Sequence, residues 1–129
     1  MSTLIVTNIR RTGETASRDA RGVAASFVKF QGDGTVTING SVNTSSITDN
    51  GVGDYAQNFS NLMADANYAV GGCASSNRNY YPGTALSILS LSTAGAPLTS
   101  AIRVTGAYTC SPSVADGRDM SVTIHGSLA

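Results

Sequence analysis

The stretch Phe27–Val70, FVKFQGDGTVTINGSVNTSSITDNGVGDYAQNFSNLMADANYAV, decides the fold. In an extended chain successive side chains point to opposite faces, so Phe27 and Val28 part ways, as do Lys29 and Phe30. Gly32-Asp33-Gly34 is a turn signal, and Thr35–Ile38 reads as the return strand of a hairpin. Asn39-Gly40 is a second strong turn pair. Ser41–Thr48 reads as a strand with Val42 and Ile47 as its apolar points. The run from Asp49 to Asp54 is a turn of residues that tolerate positive φ, after which Tyr55–Phe59 returns. Ser60–Ala64 connects to a further strand over Asn67–Ser75.

The same rhythm extends outward on both sides. Val23–Phe30, Thr84–Leu91, Ala101–Cys110 and Asp119–Ile124 all read as strands, and the last puts Met120, Val122 and Ile124 on one face and Ser121, Thr123 and His125 on the other. Short strands at intervals of roughly 8–12 residues, separated by Gly and Pro turns, indicate an antiparallel sandwich or barrel, and a jelly-roll-like β-sandwich is the expected form over residues 23–129. Nothing alternates with helical patterns, which argues against an α/β fold. The first 22 residues differ. Thr3–Ile9 (TLIVTNI) is a strand with apolar residues on both faces, and Arg10–Arg21 is a polar connector without an apolar stripe. A lone strand cannot satisfy its own backbone groups, so this extended N-terminal β arm is expected to add to another sheet, in its own chain or a neighbour's.

Composition narrows the function classes. The 129 residues suit one domain with a real core. Only 12% are charged and the formal net charge is zero. Phosphate binding needs a basic stripe, so nucleic acid is not an expected partner. Arg10, Arg11, Arg18 and Arg21 make the N-terminal segment modestly basic, which reads as local ion pairing. A polar surface with little charge fits burial against other copies of the chain, where charges are costly to desolvate. No apolar run approaches a membrane span, and Leu4–Ile9 is too short and lacks a basic leader to read as a signal peptide. Cys73 and Cys110 both fall near ends of expected strands; their thiol state is left open between pairing and free thiols.

Chemistry-bearing residues are sparse. Gly51–Ala56 fits GxGxxA, but a dinucleotide site needs that motif between a strand and a helix, and here a strand follows. Asp33, Asp49 and Asp54 lie in or beside turns, where carboxylates usually cap the local backbone; no metal and no cofactor is expected. His125 is the only histidine, on the polar face of its strand, and no GxSxG elbow is present. The chain is therefore expected not to be an enzyme. The best binding candidate is Asn77-Arg78-Asn79-Tyr80-Tyr81, since tyrosine supplies contact area at low entropy cost while Asn and Arg add hydrogen bonds. That loop reads equally as a receptor contact or as a surface packed on a neighbouring subunit.

Phe27–Val70 resembles a module of bacteriophage tail fibres and appendages. The likeness rests on the strand Phe27–Phe30 (FVKF) with an aromatic at each end, the Gly32–Thr35 turn, the Ser45–Tyr55 run SSITDNGVGDY and Ala66–Val70 (ANYAV). The start Thr3–Ile9 also resembles that of longer relatives, TL-x-V-x-x-I. The likeness fades after Cys73. It implies a structural protein of the virion: a short tail fibre or adhesin that recognises a host-surface glycan, or alternatively a capsid decoration protein or head fibre. It further implies a homotrimer. The arm, residues 1–22, would dock on the trimer axis or on another virion protein through Leu4, Ile5, Val6, Ile9, Arg10 and Arg11.

Overall fold

A computed structural model describes residues 2, 6–9, 18–19, 22–75, 86–87, 95–107 and 114–129. In chain order its strands are β1 (Asn8–Ile9), β2 (Arg18–Asp19), β3 (Ser26–Gln31), β4 (Thr37–Val42), β5 (Thr44–Gly51), β6 (Asp54–Phe59), β7 (Ala69–Ser75), β8 (Leu86–Ser87), β9 (Ala101–Gly106) and β10 (Asp119–His125). One sheet has the order β4-β3-β10-β7, the other β5-β6-β9-β8, and every pairing is antiparallel. The chain is an all-β sandwich.

Alternation explains the core. Val28 and Phe30 on β3, Met120, Val122 and Ile124 on β10, Tyr55 and Phe59 on β6, and Ile102 and Val104 on β9 all point between the sheets and are buried. Phe30 and Tyr55 meet edge-to-face across the two sheets with ring centroids 5.3 Å apart, an arrangement the ring quadrupoles favour. Phe59 and Tyr68 make a second such pair at 5.9 Å nearer the other end. On β3 and β10 the expected facing holds residue by residue: Lys29, Ser121 and Thr123 lie on the outward side.

Two expectations are corrected. Asn39-Gly40 is not a turn. It lies inside β4, which continues through it to pair Ser41 with Val28 and Val42 with Phe27. Neither residue has the positive φ that an Asn-Gly hairpin turn requires. The hairpin already closes at Gly32–Val36, and ending β4 at Ile38 would forfeit the ladder beyond it; local turn preference loses to those hydrogen bonds. The corner falls instead at Asn43, the only non-glycine with positive φ among the described residues (52°). There the chain leaves one sheet and enters the other without a loop. Val42 is also no inward apolar point: it faces out beside Phe27 and is 50% exposed, whereas Ile47 does pack against the core.

The N-terminal segment also differs from its reading. Asn8 pairs with Asp19 and Ile9 with Arg18, so part of the polar connector is itself a strand and the two form a separate ribbon. Among the described residues this ribbon joins neither large sheet.

Candidate functional site

The residues singled out for binding fall mostly outside the described structure. Asn77, Arg78, Asn79, Tyr80 and Tyr81 lie outside the described residues, as do Leu4, Ile5, Arg10 and Arg11 of the expected arm. Val6 is described and exposed, and Ile9 belongs to β1. Cys73 is an exposed free thiol on the outward face of β7; Cys110 is outside the described residues.

The described structure draws together another set of residues, at the end of the sandwich that carries the β5–β6 hairpin tip. Asp116 is the organiser. Its Oδ1 accepts the Gly53 N–H at 2.7 Å and stands 2.6 Å from the Tyr55 hydroxyl. The Gly32 carbonyl lies 2.8 Å from the same hydroxyl, so one proton faces two acceptors. Burial first, and then the neighbouring Asp116, Asp49 and Asp33 carboxylates, push the Tyr55 phenol well above its ordinary range. The hydroxyl is thus locked as a neutral donor. Two glycines make this packing feasible. A Cβ on Gly32 would stand 2.7 Å from the Tyr55 hydroxyl, and one on Gly53 would meet the Ala115 backbone at 2.6 Å. Gly53 moreover has φ 65°, a conformation that disfavours side chains.

The hairpin's outward face carries an ion pair. Arg103 on β9 grips the Asp54 carboxylate on β6 with two nitrogens, Nε to Oδ1 at 2.6 Å and Nη2 to Oδ2. The guanidinium holds the Asp54 carboxyl below the usual carboxylate range, although burial opposes it. Asp49 Oδ1 accepts the Gly51 N–H at 2.9 Å, a local cap of the kind read from the sequence. Of the three turn carboxylates, then, Asp49 caps backbone and Asp54 pairs with arginine, while the Asp33 Oδ1 is buried without a hydrogen-bond partner.

A second polar cluster sits at the opposite corner. Gln57 is fully buried, and its amide donates to Ser26 Oγ and Thr44 Oγ1, both at 2.8 Å. Those hydroxyls in turn donate to the carbonyls of Val42 (3.1 Å) and Phe27 (3.2 Å). Asn43 completes the corner, its carboxamide bonding the Asn61 backbone in both directions. This network stitches the two sheets where the chain crosses between them. Sequence reading missed it, because Ser, Thr, Asn and Gln in such a chain look alike until pairing brings them together.

Elsewhere the chemistry is thin. An open depression of about 400 Å³ on the outward face is lined by Lys29, Cys73, Ser75, Asp119 and Ser121. Lys29 and Asp119 face each other there at 3.8 Å, and Cys73 Sγ lies 3.1 Å from Ser121 Oγ. His125 Nδ1 lies 3.2 Å from the Gly22 carbonyl, with no serine or carboxylate partner described for it. Among the described residues no three His, Cys, Asp or Glu side chains converge as a metal site. Compared with known protein families, curated proteins and solved structures, the chain has no match.

Proposed function

We propose that this chain is a non-enzymatic structural protein of a bacteriophage particle, a short tail-fibre or adhesin module that meets the host surface. The observation that carries the reading is where the fibre-like segment lies. Phe27–Val70 takes in nearly all of β3 and the whole of β4, β5 and β6, which form one side of both sheets and include the β5–β6 tip, where Gly51 and Val52 are exposed. A sandwich with a neutral, hydroxyl- and amide-rich surface suits a scaffold that presents loops. In this reading the loop Asn77–Tyr81 contacts a surface glycan, the first 22 residues attach the module to a homotrimer axis or to another virion protein, and the chain resides in the virion.

Copy number tests it. Quantitative mass spectrometry of purified particles against the major capsid protein is expected to give a count in the low tens or fewer, divisible by three. A count in the hundreds would make the chain a decoration protein of the shell instead. Substituting Tyr80 and Tyr81 by Ala is expected to reduce adsorption while leaving the fold intact; unchanged adsorption removes that loop from the receptor contact.

A further inference from the structure

We propose that Asn50 is a self-modifying residue: the Asn50–Gly51 peptide at the β5–β6 tip cyclises and converts Asn50 to aspartate or isoaspartate, while the chemically identical pair Asn39–Gly40 is held inert by the sheet. The chain contains these two Asn-Gly pairs and no others. Glycine favours the reaction because it lacks the Cβ that would shield its nitrogen. In the step itself, the Gly51 nitrogen attacks Cγ of Asn50 and an N–Cγ bond forms. The Cγ–Nδ2 bond breaks, and the proton from the Gly51 nitrogen leaves with ammonia. Water then opens the ring at either carbonyl, and no other reactant is consumed.

The structure separates the two pairs. Both asparagines are extra residues in their strands: Asn39 falls between the pairs Gly40–Lys29 and Ile38–Phe30, and Asn50 between Asp49–Tyr55 and Gly51–Asp54. Ring closure requires the peptide after the asparagine to rotate. Beyond Asn39 that rotation disrupts the pairs of Gly40, Ser41 and Val42 with β3. Beyond Asn50 a single ladder pair remains, Gly51–Asp54, and the chain is next held at Gly53, by Asp116 and the Gly106 N–H, so the rotation has to be taken up within Gly51 and Val52. The Gly51 N–H is bound by an exposed side chain, Asp49, so an acceptor already stands beside the nucleophile. Space does not separate the pairs, since a Cβ at Gly40 or at Gly51 would meet nothing within 4 Å; what differs is the ladder beyond each asparagine and the positive φ of Gly51, 128°. The Asn50 carboxamide also interacts with the Asp54 carboxylate, so its conversion sets a new negative charge against Asp54, the partner of Arg103.

The test is peptide mapping of the folded protein during incubation at mildly alkaline pH in ordinary and in ¹⁸O water. A peptide spanning residues 36–56 serves as an unstructured reference. The expected result is a one-dalton gain at Asn50, three daltons in ¹⁸O water, with an isoaspartate fraction, at least about tenfold faster than at Asn39. Asn50→Gln, at an exposed position, is expected to abolish the gain there and leave Asn39 unchanged. Equal rates at the two sites overturn the proposal. So does an inert Asn50 in the folded protein over a period in which the reference peptide reacts.

Discussion

The inner strands β3, β10, β6 and β9 and the outer run β4–β5 solve opposite problems with the same palette of residues. The inner strands bury one face, by clean alternation in β3, β6 and β10 and over Ala101–Val104 of β9, whose last residues Thr105 and Gly106 are buried as well; β10 runs in unbroken register against both of its neighbours. The run β4–β5 is exposed along most of its length and is broken three times. Asn39, Ser45 and Asn50 are each an extra residue without a partner in the ladder, and between the first two the chain changes sheets at Asn43. A free edge is a template for pairing with other chains, and proteins commonly blunt it with charge. From Thr35 to Thr48 this edge carries no charge and no proline. Bulges twist and interrupt a strand, and here they take over the protection that charge gives elsewhere. Regularity holds the centre together, and irregularity keeps the edge from pairing.

The sharpest way to break that comparison is to truncate one apolar residue in each region. Phe30→Ala removes a ring buried against Tyr55 and is expected to cost about 3–5 kcal/mol in chemical denaturation. Val42→Ala on the outer run is expected to cost about 0.5 kcal/mol or less. Comparable losses would mean that the outer run is covered in the folded protein. Asp116→Ala comes next. It leaves the Gly53 N–H without its acceptor and the Tyr55 hydroxyl with the Gly32 carbonyl alone, and is expected to cost about 1–3 kcal/mol. Gln57→Leu is expected to cost about 1 kcal/mol or less, because Ser26 and Thr44 keep their carbonyl acceptors and an unpartnered buried oxygen disappears.

Acid and alkali load different groups: the raised phenols of Tyr55 and Tyr68 act on the alkaline side and the Asp54 carboxyl on the acid side. Burial pushes the Tyr68 phenol up to about 12, above its unfolded value near 10. A raised pKa contributes stability that is full below pH 10 and lost as pH climbs toward 12, so the urea midpoint is expected to fall across that window. Asp54 behaves in the opposite sense. Its carboxyl is lowered by Arg103, so its contribution is present above the unfolded carboxylate range and is lost on acidification below about pH 4. Asp54→Asn is expected to flatten that acid limb modestly, since the pair is only partly buried. The smallest expected effect on stability, and the most direct test of the edge, is deletion of Asn39. It makes the β3–β4 ladder regular and is expected to change the unfolding midpoint little while raising concentration-dependent association in light scattering.

Much of the sandwich was legible from the chain. Val28 with Phe30, and Met120 with Val122 and Ile124, declare an inward face by alternation alone, and the Gly32–Gly34 and Gly51–Gly53 turns fall where glycine and aspartate put them. The candidate site was far less legible. Asp116 lies more than sixty residues from Tyr55, and no local pattern marks it as the acceptor that pins the hairpin tip. Gln57, Ser26 and Thr44 form a network only because β3, β5 and β6 converge at the corner.

By itself, then, the sequence determined the all-β class, the facing of the inner strands and a surface poor in charge. These follow from side-chain alternation and composition, which are properties of neighbours in the chain. Tertiary structure decided that Asn39–Gly40 is a bulge rather than a turn, that Asn43 carries the chain between sheets, and that Asp116 closes the far end. In each case the deciding term is a hydrogen bond to a residue distant in sequence. Local preference differs by little between the competing conformations there, and the ladder or the buried acceptor outweighs it.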